Sequence, residues 1–329
     1  SVGIEPDDEV ITTPFSFIAS ANCILFERGK PVFVDIDPAT LNIDVEKIEA
    51  AITYRTRAIL PVHVFGRPCR MDRICQIADK HGLAVIEDSC EAIGASFKGR
   101  RAGSFGHFGT FAFYPNKQMT TGEGGMMVTD DEQAAKLCGS WRNQGRGESR
   151  EWIQHQRLGY NYRLSEINCA LGLVQLERLA GMIAQRADVA RQYNEALAGM
   201  DEIIRPGLAE PDAEISWFVY VVRLASEYGR SDRDRVLEFL RARGVSCSDY
   251  FTPIHLQPFY RESFGFRDGQ FPITENASER TIVLPFFNKI KEDQVAYVAE
   301  TLRAAVKSVR AERAVAVAAP KKEEQEILR

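Results

Sequence analysis

Several chemistries drop out of first consideration because of what the sequence lacks. Its seven cysteines (Cys23, Cys69, Cys75, Cys90, Cys138, Cys169 and Cys247) form no CxxC pair and are odd in number. That pattern suits reduced thiols in the cytoplasm, and neither a disulfide framework nor a zinc site. Five scattered histidines offer no metal-ligand spacing, so no metal is expected. There is no basic run, and 41 Lys and Arg face 46 Asp and Glu for a formal net charge of −5. This balance argues against a nucleic-acid partner. No apolar stretch approaches the roughly 20 residues that span a bilayer, and the N-terminus lacks the charged-then-apolar order of a signal peptide. No G-x-G-x-x-G follows an early strand, which disfavours a dinucleotide-dependent oxidoreductase. No internal repeat is visible.

What is present reads as an α/β chain long enough, at 329 residues, for two domains. Apolar runs at 10–13, 31–35, 58–64 and 84–87 alternate with helical patterns at 16–26, from an Asp44 cap through 52, and at 71–81. The runs are continuous rather than alternating, which predicts a mainly parallel sheet covered by helices on both faces. Ligands of such sheets gather beyond the carboxyl ends of the strands. Further helices are expected at 131–141, 165–179 and 182–197, with a polar loop at 142–150 between the first two. The last of these helices leads to a smaller α+β C-terminal domain, with strands in SWFVYVVRL and ERTIVLPFF and helices at 231–244 and 292–302. The expected division is 1–199, 200–309 and a frayed or disordered tail at 310–329. The opening SVGIEPDDEV reads as a helix end entering a turn and strand, and Ser1 is not an initiator methionine, so a preceding segment is expected.

The stretch that stands out is 108–130, FGTFAFYPNKQMTTGEGGMMVTD: a strand, a turn bearing one lysine, a glycine-rich bend and a second strand. A lone lysine is ordinarily a solvated surface charge. Phe111, Phe113 and Tyr114 on one side of Lys117 and Met126, Met127 and Val128 on the other argue instead for a lysine held against a sheet. There it loses hydration and offers a nucleophilic amine suited to Schiff-base chemistry. Asp88 ends the run AVIE at a strand's carboxyl end. It reads either as a turn cap or as the carboxylate that faces the pyridinium nitrogen of pyridoxal phosphate (PLP), a cofactor that needs one lysine and one such acid.

The segments TPFSFIASAN, VDIDPATLNID, VHVFGRP, EDSCEAIGA, FAFYPNKQMTTGEGG and GYNYRLSEINCALG follow one another in this order. Together they closely resemble the DegT/DnrJ/EryC1/StrS family of PLP-dependent sugar aminotransferases, over nearly the whole chain. The resemblance implies the type I aminotransferase fold, PLP as cofactor, and a homodimer with shared active sites. It implies that Lys117 bears the Schiff base, that Asp88 pairs with the pyridine nitrogen and that Phe17 lies against the cofactor ring. It places Glu91 near the phenolic oxygen, where many members have glutamine. Asn161 would reach the phosphate held by the neighbouring subunit, with Tyr160 and Arg163 lining that junction, and His255 in PIHLQPFY would contact substrate. Without the resemblance, Phe17, Asn161, Arg163 and His255 also read as packing residues. Two departures stand out. Ala112 occupies the position of a phosphate-binding serine, and the family's Ser-Gly-Thr type loop would lie ahead of Ser1, so weaker PLP binding is expected.

The function so implied is transfer of an amino group from glutamate or glutamine to a nucleotide-linked keto-sugar, giving an amino sugar for polysaccharide, lipopolysaccharide or a glycosylated metabolite. Two rivals stay open. A sugar dehydratase of the same family replaces the lysine with histidine, which Lys117 argues against. A non-catalytic cofactor-binding or regulatory homologue is compatible with Ala112.

Overall fold

The apolar runs ahead of Asp88 satisfy their backbone groups by pairing side by side. The computed structural model describes residues 2–147, 154–208 and 212–318. In it β1 (Glu9–Thr12), β2 (Lys30–Phe33), β3 (Thr56–Ile59) and β4 (Ala84–Asp88) join in parallel. After two short strands, β5 (Ser96–Phe97) and β6 (Arg100–Arg101), β7 (Phe108–Ala112) adds in parallel to β4, and β8 (Gly125–Val128) closes the edge antiparallel to β7. The order is β2-β1-β3-β4-β7-β8, the mainly parallel sheet expected. Residues 2–8 enter β1 through a turn, not from a helix end.

The helices follow from spacing and caps. In α1 (Ala19–Phe26), Ala21 and Ile24 are buried. Asp44 caps α2 (Val45–Ile48) by accepting from Glu46 N, and a 3-10 turn at Glu49–Ala51 finishes the expected segment. In α3 (Met71–His81) the buried Met71, Ile74, Ile77 and Ala78 recur every three or four residues. Gly82, at φ 64°, ends it by donating to Ala78 O and Asp79 O. Asp131 caps α4 (Glu132–Trp141).

The two helices expected at 165–179 and 182–197 are one, α5 (Glu166–Ala196), capped by Ser165. Gly181 between them costs about 1 kcal/mol of helix propensity, too little to break a helix anchored beyond it. That anchor is the C-terminal unit's core, to which α5 contributes Val189, Ala190 and Tyr193. The same core draws on β9 (Ile203–Ile204), β11 (Tyr220–Leu224), α6 (Arg230–Arg241), β12 (Thr281–Leu284) and α9 (Glu292–Ala318). These strands form the antiparallel sheet β12-β11-β9, while β10 (Ala213–Glu214) pairs with β5. Two short helices, α7 (Pro258–Phe264) and α8 (Pro272–Ser278), pack between α6 and β12 in sequence. The expected tail is helical as far as Ala318, and its remainder lies outside the described residues, as does part of the polar stretch 142–150.

Continuity of α5 corrects a second expectation. One 18-residue window of the helix reaches a mean hydropathy of 1.2 with none of it buried, enough by length and composition alone to cross a membrane. Glu177 and Arg178 interrupt its apolar face, and charges at a bilayer centre cost about 2.5–3.5 kcal/mol each on insertion scales.

At the centre of the large sheet lies a carboxylate hub. Glu87 on β4 is fully buried. Its Oε1 accepts from Phe105 N (2.5 Å) and Gly106 N (2.7 Å), and its Oε2 from Gly103 N (2.8 Å) and His63 Nε2 (3.0 Å). His63 Nδ1 accepts from Cys69 N, which fixes the Nε2–H tautomer. Burial pushes the Glu87 carboxyl up, but the His63 bond and the backbone donors outweigh it and hold the group below its ordinary 4.5. A group depressed on folding stabilises above its unfolded value and loses that contribution as pH falls through the folded one. Glu87→Leu should therefore cost about 3–5 kcal/mol at pH 7 by urea denaturation. The gap from wild type should narrow below pH 4.5; an unchanged gap in acid would show that the hub acts by packing alone.

Candidate active site

Two strand ends build the site. Asp88 closes β4, its N–H donating to Pro61 O and its C=O accepting from His63 N. Its carboxylate is held at both oxygens: Ser20 Oγ donates to Oδ2 at 2.7 Å and Cys90 N to Oδ1 at 3.1 Å. Ser20 lies in the first turn of α1 and shares a 2.9 Å hydroxyl contact with Ser16. Sequence reasoning passed over this serine pair; the signal available was Ser at i and i+4 at the start of a helix that packs on the sheet.

Lys117 sits in the turn beyond β7, where Lys117 N donates to Tyr114 O and Phe113 N to Gly124 O. Its side chain is 14% exposed, with Nζ 3.7 Å from Glu91 Oε1 and 4.3 Å from the centroid of the Phe218 ring, a cation–π arrangement. Glu91 is enclosed, and its Oε2 accepts from Phe65 N at 2.9 Å. Burial raises the Glu91 carboxyl, Lys117 and the Phe65 N–H pull it back and Asp88 raises it again, leaving it at about 7. Burial followed by the neighbouring Asp88 charge likewise pushes the Cys90 thiol up. Asp88 and Lys117 therefore both act electrostatically on Glu91 and on Cys90.

Phe218 arrives from the start of the C-terminal unit. Ser216 N donates to Gly66 O and Phe218 N to Phe65 O, so the segment ahead of β11 is laced to the turn that also serves Glu91. Gln118 Nε2 adds bonds to Glu91 O and Ser216 Oγ. Gly66, at φ +87°, lies where a Cβ would come within 2.8 Å of Trp217 N and 3.0 Å of Glu91 O. Nothing in the sequence pattern pointed to Phe218, because the pairing joins segments far apart in the chain.

The remaining expected residues divide. Phe17 precedes α1 with 64% of its surface exposed, on the turn whose carbonyl accepts from Ser20 N. Asn161, Tyr160 and Arg163 occupy the extended segment before α5. Tyr160 stacks on Tyr162 at 4.6 Å and Arg163 Nη1 donates to Asn143 Oδ1 at 2.9 Å. Among the described residues, none of these three bonds to Lys117, Asp88 or Glu91. Ala112 ends β7 opposite Gly125 and offers no hydroxyl. His255, expected at the substrate, lies enclosed in the fold. It is fully buried, bonded through Nε2 to Glu275 Oε1 at 3.0 Å and set edge-on to Phe271 at 4.6 Å. Burial, offset by Glu275, leaves the imidazole below its ordinary 6.5.

A lysine and a carboxylate presented from adjacent parallel strand ends, in this topology, define a PLP-dependent aminotransferase of type I fold. The sequence profile of the DegT/DnrJ/EryC1/StrS aminotransferase family matches residues 1–303, and the chain belongs to that family. It is 42% identical over 262 residues to GDP-perosamine synthase of Caulobacter vibrioides, covering 79% of this chain and 70% of that protein. The crystal structure of S. venezuelae DesV, in complex with a ketimine intermediate, superposes with a TM-score of 0.86 at 33% identity, covering 93% of this chain and 80% of DesV. Helicobacter pylori PseC, an aminotransferase involved in the biosynthesis of pseudoaminic acid, gives 0.87 at 27% identity, with 94% and 82% covered.

The crowding at Gly66 is testable by itself. Gly66→Ala should lower stability by about 2–4 kcal/mol, more than Gly99→Ala, where φ is also positive (+75°) but a Cβ meets nothing within 4 Å. Thermal melts of the two variants side by side check this; equal losses would reduce the Gly66 effect to backbone conformation.

Proposed function

We propose that this chain transfers an amino group from glutamate or glutamine to the carbonyl carbon of a nucleotide-linked keto-sugar, with PLP as cofactor. The carrying observation is the pairing of Lys117 with Asp88 at the carboxyl ends of β7 and β4, coupled through the buried Glu91. The residues suit the cofactor. Asp88 keeps a carboxylate fixed at both oxygens, Phe17 offers an uncovered aromatic face, and Lys117 is a largely sheltered amine beside an apolar ring. When bound, PLP supplies a carrier for the amino group and a sink for the electrons left when a proton departs the donor's α-carbon.

The chain's own residues do the rest. Asp88, held by Ser20 Oγ and Cys90 N, keeps a proton on the pyridine nitrogen. Lys117 Nζ, once freed by the incoming donor, takes the α-proton and returns it as general acid. As it gives up its nitrogen the donor's α-carbon takes the oxygen of one water and leaves as a 2-oxo acid; the same proton movements in reverse place nitrogen on the sugar carbonyl carbon, whose oxygen leaves as water. The relatives named for GDP-perosamine and pseudoaminic acid support an amino-sugar product. Lys117 in place of histidine favours transamination over dehydration, and we place the reaction in the cytoplasm.

The decisive experiment is an absorbance spectrum of the purified chain with added PLP, followed by borohydride and peptide mapping. A yellow band that reduces onto Lys117 and bleaches with glutamate or glutamine is expected. Lys117→Ala should lose both band and turnover, and full activity in that variant would remove the reading.

We also propose that the active form is a homodimer. Ile167, Leu173 and Leu176 on α5, Leu158 before it and Met126 and Met127 on β8 each expose a large apolar side chain, and exposed apolar surface of this extent is characteristic of protein interfaces. A second copy would cover it and bring Asn161, Tyr160 and Arg163 to a neighbour's site. Sedimentation should show a dimer, and Leu173→Asp should shift it towards monomer with loss of turnover. Mixing inactive Lys117→Ala and Asn161→Ala chains should recover part of the activity; no recovery would count against shared sites.

A further inference from the structure

Glu91 has no place in the proton movements just described, yet it is the acid nearest the reactive amine. Its carboxylate is pinned on one oxygen by Phe65 N and turned with the other towards Lys117 Nζ, with the two side chains only 9% and 14% exposed. The backbone around it is fixed as well, since Glu91 O accepts from Gln118 Nε2 and Gly66 leaves no room for a shift. Three further titratable groups face this corner: Asp88 at the end of β4, Cys90 beside it, and Tyr250 from the segment before α7. Among these neighbours, Lys117 is the cation.

We propose that Glu91 is a positioning residue for Lys117: its buried carboxylate holds the free lysine as an ammonium and thereby sets the pH at which the amine becomes available. This deepens the reading of Lys117 as the cofactor-bearing lysine and rests on it. Condensation of an amine with an aldehyde expels one water and requires the neutral amine, so the ammonium must first release its proton to solvent. While Glu91 is ionised that release is opposed by the lost ion pair; with a neutral side chain in its place the opposition vanishes. Burial raises the carboxyl to about 7, so the ion pair forms progressively as pH rises through neutrality.

The test reads the full-length chain without added cofactor. Brief pulses of acetic anhydride across pH 7–12, followed by mass spectrometry of the Lys117 peptide, give the pH at half-maximal labelling, with the exposed Lys30 as internal reference. Glu91→Gln keeps an oxygen for Phe65 N and deletes the charge. It should move the Lys117 half-point down by about one unit or more, raising labelling at pH 7.5 about tenfold, while Lys30 stays put. Glu91→Asp, which retains the charge, should stay nearer wild type. An unchanged half-point in Glu91→Gln, or an equal shift in Glu91→Asp, would overturn the proposal. If wild type forms no PLP chromophore, the functional reading fails while the labelling result stands, so the two failures are told apart.

Discussion

The geometry of the site depends on one buried carboxylate that does no chemistry. Glu87 collects three backbone N–H groups from 103–106 and the Nε2–H of His63. These bonds tie β4 to the loop that feeds β7 and to the turn at 63–66. The next residue along β4 is Asp88, and β7 runs out to Lys117, so the acid and the amine inherit their separation from a hub one position behind them. A buried ionised group is tolerated only when its lone pairs are filled, and here four donors fill them. The adjoining turn then supplies Phe65 N to Glu91, carrying the same frame into the pocket.

Much of this was readable in the chain. Continuous apolar runs separated by helical spacing gave the parallel sheet, because side-chain period reflects how many faces are buried. Asp88 was legible because it closes a largely apolar run at a strand end, and Lys117 because it is the one lysine in a turn between two apolar strands. The environment of Glu91 was not: Phe65 N and Lys117 Nζ reach it from separated segments while Phe218 faces Lys117 from a third, and periodicity carries no information on such meetings. The surroundings of His255 were hidden for the same reason. Its burial against Phe271 and its bond to Glu275 are products of folding, and its segment reads alike for an exposed or an enclosed imidazole. The helix expected to break near Gly181 runs through because its far end is gripped by a core that only the fold assembles.

α5 joins two different surroundings. Its C-terminal turns belong to the core with β11, β12 and α9, while its N-terminal turns present Ile167, Leu173 and Leu176 outward. A single rigid rod thus connects the C-terminal unit to the face proposed for the partner subunit, and the residues expected to cross to a neighbour, Asn161 and Arg163, stand just before its first turn.

The lacing of Ser216 and Phe218 to Phe65 and Gly66 sets a mechanical limit. The junction that leads into the C-terminal sheet is also a wall of the lysine's surroundings, so it cannot serve as the pivot about which that unit swings. Any opening of the C-terminal unit must bend elsewhere along the chain or else drag the Phe218 ring off the ammonium. The placement of that junction and the setting of the lysine amine are, in this architecture, linked through the Phe218 ring.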